Sequence, residues 1–230
     1  MDNLQRRIEE IEQDIQITCD RIGRKRSEIT IIAVTKEVSA ARTSEVLDAG
    51  IKHLGENRPE VLLSKLETIQ SDAILHFIGN VQSRKVKDII NKIDYLHSVD
   101  RLSLMKEIQK RASHSIECFV QVNVSGETTK SGVMPEELEG FIQEAAAYDK
   151  IRIIGLMTMA PFTEDMDIIR TVFRSLRELR DGISAKGLTH APCTQLSMGM
   201  SNDFKVAIEE GATHVRIGTA LVGAESGGET

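Results

Sequence analysis

The 230-residue sequence has no tryptophan, two tyrosines and six phenylalanines. So few aromatics leave little for base-stacking platforms. An excess of basic charge is also missing: 29 Lys and Arg stand against 35 Asp and Glu, a net charge of −6. A protein that gathers nucleic acid over its whole surface would be basic, so that class is disfavoured, while a local cationic pocket for a small anion stays open. The three cysteines, Cys19, Cys118 and Cys193, lie far apart, with no C-x-x-C and no Cys/His cluster. Structural zinc and a disulfide framework are poorly supported, and no metal site is expected. Apolar runs such as Ile29 to Thr35 are far too short to span a bilayer. Met1 to Gln16 is charged and helical in pattern, unlike a signal peptide. The expected setting is a reducing cytoplasm, with no membrane and no nucleic-acid partner.

What the sequence does have is one repeated pattern. Short β-branched runs alternate with charged amphipathic stretches. The runs are Thr30–Thr35, His53–Gly55, Ile74–Gly79, Tyr95–Val99, Cys118–Val124, Ile151–Met157, Thr194–Met198 and His214–Thr219. Most are nearly continuous in apolar character, as in parallel strands buried on both faces. The stretches between them predict helices over Thr43–Asp48, Pro59–Gln70, Arg84–Lys92, Leu102–Ala112, Pro135–Tyr148, Asp165–Gly182 and Asn202–Glu210. An extra helix from Leu4 to about Ile22 carries Ile8, Ile11, Ile15 and Ile22 on one stripe. Two junctions, Asp48–His53 and Glu210–His214, both set Gly three residues before a strand-starting His, a common helix-stop solution. No linker or low-complexity tract divides the chain, so one domain over residues 1–230 is expected, with its N-terminal helix in 1–23 and a flexible tail at 224–230.

Eight strands alternating with helices predict an α/β fold, a single (β/α)8 barrel. The competitor is a doubly wound sheet, disfavoured by the strand count and by the absence of G-x-G-x-x-G after the first strand. In a barrel the chemistry belongs at the C-terminal strand ends. Lys36 ends the first strand, either as a solvated cap or as a Schiff-base lysine whose stem is buried against the barrel. Asn57 ends the second, as a polar ligand contact or as a cap for the helix near Pro59. His76 lies within the third strand and reads as a core histidine satisfied by backbone. The run Arg84, Lys85, Lys87 and Lys92 reads as a solvated helix face.

The strongest signals come late. Leu196-Ser-Met-Gly-Met-Ser-Asn202 follows the seventh strand and leads into a helix, with hydroxyls at Ser197 and Ser201. Val215-Arg-Ile-Gly-Thr219 ends the eighth strand, where Gly218 and Thr219 can present backbone N–H groups. Loops after strands seven and eight are the usual phosphate cradle of a barrel, the alternative being two tight turns with no ligand. A lysine after strand one and a phosphate cradle facing it across the barrel suit a small phosphorylated aldehyde, pyridoxal 5′-phosphate or a phosphosugar.

Ala33-Val-Thr-Lys36, Gly55-Glu-Asn57, His76-Phe-Ile-Gly79, Gln82 with Arg84, Lys130-Ser-Gly-Val133, Gly155-Leu-Met157, Leu196 to Ser201 and Val215 to Thr219 occur in one order and spacing. In these blocks, over nearly the whole chain, the sequence resembles the pyridoxal-phosphate homeostasis protein family. That family is similar to the N-terminal barrel of alanine racemase, a fold-type III pyridoxal-phosphate protein. The resemblance implies that Lys36 holds the cofactor as an aldimine. It implies that Ser201, Gly218 and Thr219, with Ser197 contributing, hold the phosphate, and that Arg216 meets the pyridine nitrogen. It implies binding and intracellular homeostasis of the cofactor without an established catalytic activity, with apo-enzymes as candidate recipients and a monomeric state. The alternatives are a fold-type III enzyme acting on amino acids, such as a racemase, and a lysine aldolase. A racemase is disfavoured because the chain ends soon after strand eight, short of the domain that supplies the racemase tyrosine. Thr35 before the lysine, and Asn80-Val81 after the His76–Gly79 block, depart from the commoner family pattern.

Overall fold

The computed structural model describes residues 3–69, 72–127 and 130–224. Eight parallel strands close into a barrel in sequence order. They are β1 (Thr30–Val34), β2 (His53–Glu56), β3 (Ile74–Phe77), β4 (Tyr95–Val99), β5 (Ile116–Gln121), β6 (Ile151–Met157), β7 (Gln195–Ser197) and β8 (His214–Ile217). Closure is made by β1 and β8, where Thr30 stands opposite His214 and Ile32 opposite Arg216. Of the expected tail, only Ala224 lies within the described residues.

The helices follow local rules. α1 (Asn3–Ile22) lays Leu4, Ile8, Ile11, Ile15 and Cys19 into the core, while Ile22, expected on that stripe, is exposed at the helix end. α2 (Ala40–Asp48) starts three residues earlier than the apolar pattern predicts, because the Ser39 hydroxyl accepts from the Arg42 N–H at 3.1 Å and caps it. α3 (Pro59–Leu66) opens on proline, and α4 (Val86–Ile89) is preceded by a 3₁₀ turn over Ser83–Lys85. α5 (Leu102–Arg111), α6 (Leu138–Ala145) and α7 (Met166–Ser184) complete the outer ring up to strand seven. Asp165 caps α7 by accepting from the Asp167 and Ile168 N–H groups. α8 (Phe204–Glu209) and a last single turn, α9 (Thr219–Val222), follow β7 and β8. The two junctions with Gly before His share their geometry: Gly50 and Gly211 stop their helices at φ +95° and +101°. L side chains rarely adopt that region.

The large apolar core lies between strands and helices, built from outward-facing residues such as Ile31, Ala33, Leu54, Phe77, Leu96, Val120, Leu196 and Val215. The lumen differs from the branched aliphatic filling usual in such barrels. His76, His97, His214, Ser197 and Arg216 are buried there, beside a small apolar cluster of Phe119, Ile154 and Met157. The His76 ring stacks on Tyr95 with centroids 4.4 Å apart, and His97 stacks on Phe119 at 4.3 Å.

Candidate functional site at the C-terminal mouth

A cavity of about 570 Å³ opens at the C-terminal ends of the strands. Lys36, Asn57, Ser201, Arg216, Gly218 and Thr219 all line it. Six of the seven residues singled out in the sequence are thus brought together. They do not face one another across the barrel as expected. β7, β8, β1 and β2 are consecutive around the closed sheet, so the loops bearing Ser201, Gly218–Thr219, Lys36 and Asn57 share one arc of the rim.

Lys36 stands two residues beyond β1, on a turn closed by the Val38 N–H donating to the Thr35 carbonyl at 3.0 Å. That position makes it a rim residue. Its side chain is 41% exposed and its Nζ lies 3.4 Å from a Glu37 oxygen, so the burial expected of its stem is not found. The turn itself is anchored from below. Thr35 is buried and its hydroxyl donates to Glu56 Oε1 at 2.6 Å. Lys65 reaches in from α3 and donates to the same oxygen at 2.6 Å and to the Thr35 carbonyl at 2.5 Å. Neither Glu56 nor Lys65 was marked by the sequence, because an isolated Glu and a helical Lys read as surface residues.

Asn57 does not cap α3; the capping position is Arg58, which makes no side-chain bond. Instead Asn57 Oδ1 is buried without a partner among the described residues. An orphaned carbonyl of this kind costs on the order of 1–3 kcal/mol unless a donor meets it. Asn57 also lines the cavity. The Asn57 backbone also explains Gly79, since a Cβ there would overlap the Asn57 carbonyl.

In the loop after β7, Gly199 takes φ +92°, and its carbonyl accepts from the Arg216 N–H at 3.0 Å, tying the loop to β8. The helix expected from Asn202 begins at Phe204. Residues 201–203 form a turn whose Asp203 carboxylate accepts from the Met200 N–H at 2.5 Å. Burial pushes the Asp203 carboxyl above its usual range. Ser201, Gly218 and Thr219 line the cavity, while α8 itself opens only at Phe204.

The Arg216 guanidinium is buried and no carboxylate lies within ion-pair distance among the described residues. Its Nη1 donates to Ser197 Oγ at 2.6 Å and its Nη2 to the Thr158 carbonyl at 3.0 Å. Burial pushes its pKa down to about 10, with Asp203 opposing at a distance, so the group stays charged at neutral pH. Ser197, expected to contribute to the phosphate set, lies apart from the other six residues. It faces the lumen one layer below the cavity, is fully buried, and is not among the cavity-lining residues. His76 is a correction: it is satisfied by His53 and His97 and not by backbone. The basic run behaves as a surface face, with Lys85 paired to Glu60 at 2.8 Å.

Among the described residues no group of His, Cys, Asp or Glu is disposed to hold a metal ion, and no helix is long and apolar enough to cross a membrane. The donor set suits an organic ligand instead. An amine, an orphaned acceptor, a buried guanidinium and two hydroxyls converge on a cavity of small-molecule size.

Comparison with known proteins agrees with this geometry. Residues 8–226 match the family described as alanine racemase, N-terminal domain. The pyridoxal phosphate homeostasis protein of Aquifex aeolicus is 42% identical over 221 residues, covering 94% of this chain and 96% of that one. PipY of Synechococcus elongatus, solved with PLP bound, superposes with a TM-score of 0.79 at 28% identity, over 91% of this chain and all of PipY. The alanine racemase of Corynebacterium glutamicum shares the fold, with a TM-score of 0.70 at 17% identity over 96% of this chain and 63% of the enzyme. The chain belongs to the pyridoxal phosphate homeostasis protein family, built on the barrel of the alanine racemase N-terminal domain.

Proposed function

We propose that this protein holds pyridoxal 5′-phosphate at the C-terminal mouth of its barrel and serves the homeostasis of that cofactor in the cell rather than turning over a substrate of its own. The observation that carries the reading is the shared rim arc: a lysine amine, the orphaned Asn57 acceptor, the Arg216 guanidinium and the hydroxyls of Ser201 and Thr219 on one cavity. When bound, the cofactor supplies an aldehyde and an electron-withdrawing ring. Lys36 supplies the amine that holds the aldehyde. Ser201, Gly218 and Thr219 hold the phosphate, which as a dianion draws strong hydrogen bonds from hydroxyls and N–H groups. Asn57 accepts from a polar substituent. Arg216, charged and acceptor-free, donates to the ring nitrogen and disfavours its protonation, so the ring withdraws electrons poorly. The exposure of Lys36 at an open rim suits loading and release, which favours apo-enzymes in the cytoplasm as recipients.

A two-base racemase needs an acid or base on each face of the bound substrate. Neither Tyr95 nor Tyr148 lines the cavity, and the Asp203 carboxylate is held by the Met200 N–H. Incubation of the cofactor-loaded protein with L-alanine and other amino acids in deuterated water is expected to give slow α-deuteration at most, and no appreciable D-isomer. D-isomer formation at about 1 per second or faster, the range of ordinary enzymes, would assign the protein to the racemases instead.

A further inference from the structure

The lumen histidines are not scattered. His53 Nδ1 lies 2.8 Å from His76 Nε2, His76 Nδ1 lies 2.9 Å from His97 Nε2, and His97 Nδ1 lies 2.9 Å from Ser197 Oγ. Ser197 Oγ in turn accepts from Arg216 at 2.6 Å. One file of hydrogen bonds thus runs from a second cavity of about 580 Å³ at the N-terminal mouth, which His53 lines, to the cavity that Arg216 lines.

Its direction follows from donor accounting. A guanidinium can only donate, so Ser197 Oγ accepts there. The serine proton then has one acceptor in reach, His97 Nδ1. His97 accordingly carries its proton on Nε2 and donates to His76 Nδ1, and His76 donates from Nε2 to His53 Nδ1. The opposite sense would leave the buried serine proton without an acceptor, a loss comparable to a whole hydrogen bond. Three neutral imidazoles in one tautomer aim their lone pairs toward the arginine, which has no carboxylate partner among the described residues.

We propose that His53, His76, His97 and Ser197 form a polarised relay in which His97 is the positioning residue for the Arg216 guanidinium, and that protonation of His53 at one mouth is coupled to the Ser197–Arg216 bond at the other. The chemistry is explicit. One proton is added overall: the His76 Nε2 proton passes to His53 Nδ1, the His97 Nε2 proton to His76 Nδ1 and the Ser197 proton to His97 Nδ1. A proton from solvent replaces the one Ser197 gave up, so that each inner ring ends with its single proton on Nδ1 and His97 Nδ1 donates to Ser197 Oγ. That oxygen then carries two incoming donors, and its own proton has no acceptor. The charge rests on His53 and the two inner rings stay neutral. Burial lowers the pKa of His53 too, with the Asp94 carboxylate opposing, but it lowers His76 and His97 well below the usual value and holds His214 down to about 3, so these rings do not compete for the added proton. The groups that face His53 are His76 of β3, His214 of β8, and Asp94 ahead of β4. Around the lower cavity stand Tyr95 and two ion pairs, Arg24 with Glu28 and Arg152 with Glu117, each of which cancels its own charge. The inference does not depend on what occupies the upper cavity.

The test uses the full ligand-free chain and ¹⁵N-resolved NMR of its histidines. In the unmodified protein His97 is expected to be neutral with its proton on Nε2. Ser197→Ala removes the bond that reversal would break, so the His53 pKa is expected to rise by about one unit although the substitution lies at the other end of the file. Ser197→Thr, which keeps the hydroxyl, is expected to restore the original value. A His97 proton on Nδ1 in the unmodified protein would overturn the proposal even if neither variant folds. An unchanged His53 pKa in folded Ser197→Ala would overturn the coupling.

Discussion

Replacing Lys65 by methionine is expected to destabilise the protein by about 3–5 kcal/mol, an effect out of proportion to a lysine on an outer helix. The side chains of Lys65 and Glu56 are only 7% and 3% exposed and meet at 2.6 Å. A buried pair of this kind returns little net stability over an apolar pair, because desolvation consumes the Coulombic gain. Breaking it is another matter. Without the ammonium, Glu56 is left as a buried carboxylate whose Oε2 already lacks a partner, supported only by the Thr35 hydroxyl. The Thr35 carbonyl keeps the Val38 N–H but loses its second donor, and Thr35 is the residue that seats the Lys36 turn. The double replacement Lys65→Met with Glu56→Gln is expected to recover part of the loss, since no charge is then buried unpaired. Denaturant unfolding measures both. A cost below about 1 kcal/mol for Lys65→Met would show that the pair is a surface contact and would remove the anchoring role assigned to it.

Pyridoxal lacking its phosphate is expected to bind more than a hundredfold less tightly than pyridoxal 5′-phosphate. The cradle proposed at Ser201, Gly218 and Thr219 takes the phosphate, and these residues line the same cavity as Lys36. Each hydrogen bond to a charged group contributes about 1.5–3 kcal/mol, so two of them account for at least about 3 kcal/mol, which is a factor above one hundred. Ser201→Ala alone is expected to remove one such bond and to weaken the phosphate ester without affecting pyridoxal. Titration of the two forms against both proteins measures this. Equal affinities for the two forms would mean that the late loops are turns without a phosphate, the reading their sequence also permitted.

Much of the fold was legible because strand and helix leave different marks in sequence. β4 and β6 occupy the expected residues, and the other strands differ from expectation only at their ends. Those ends moved where backbone groups were already spent: the first strand stops at Val34 because Thr35 enters the turn, and α8 starts late because Asp203 binds Met200. The rim residues were legible through the barrel rule, which points to strand ends whatever the chemistry. Three things were not. The burial of Lys36 was inferred from strand proximity, but two residues beyond a strand is already outside the packed layer. Ser197 and Ser201 are four residues apart, but Ser197 is still the last residue of β7 and only the pleat decides that it faces the lumen, whereas Ser201 lies in the loop beyond and lines the cavity. The histidine file was invisible because its members come from β2, β3 and β4, and each alone resembles a satisfied core residue.

The central claim is that Lys36 is the residue that holds the cofactor, and borohydride reduction of the protein loaded with pyridoxal 5′-phosphate, followed by peptide mass mapping, tests it most directly. Lys36 and Lys130 both lie in described segments, and Lys130 is already paired with Glu127 at 2.7 Å. The account predicts a pyridoxyl group on the peptide containing Lys36, and none after Lys36→Ala. A pyridoxyl group found only on another lysine, Lys130 for instance, would contradict it.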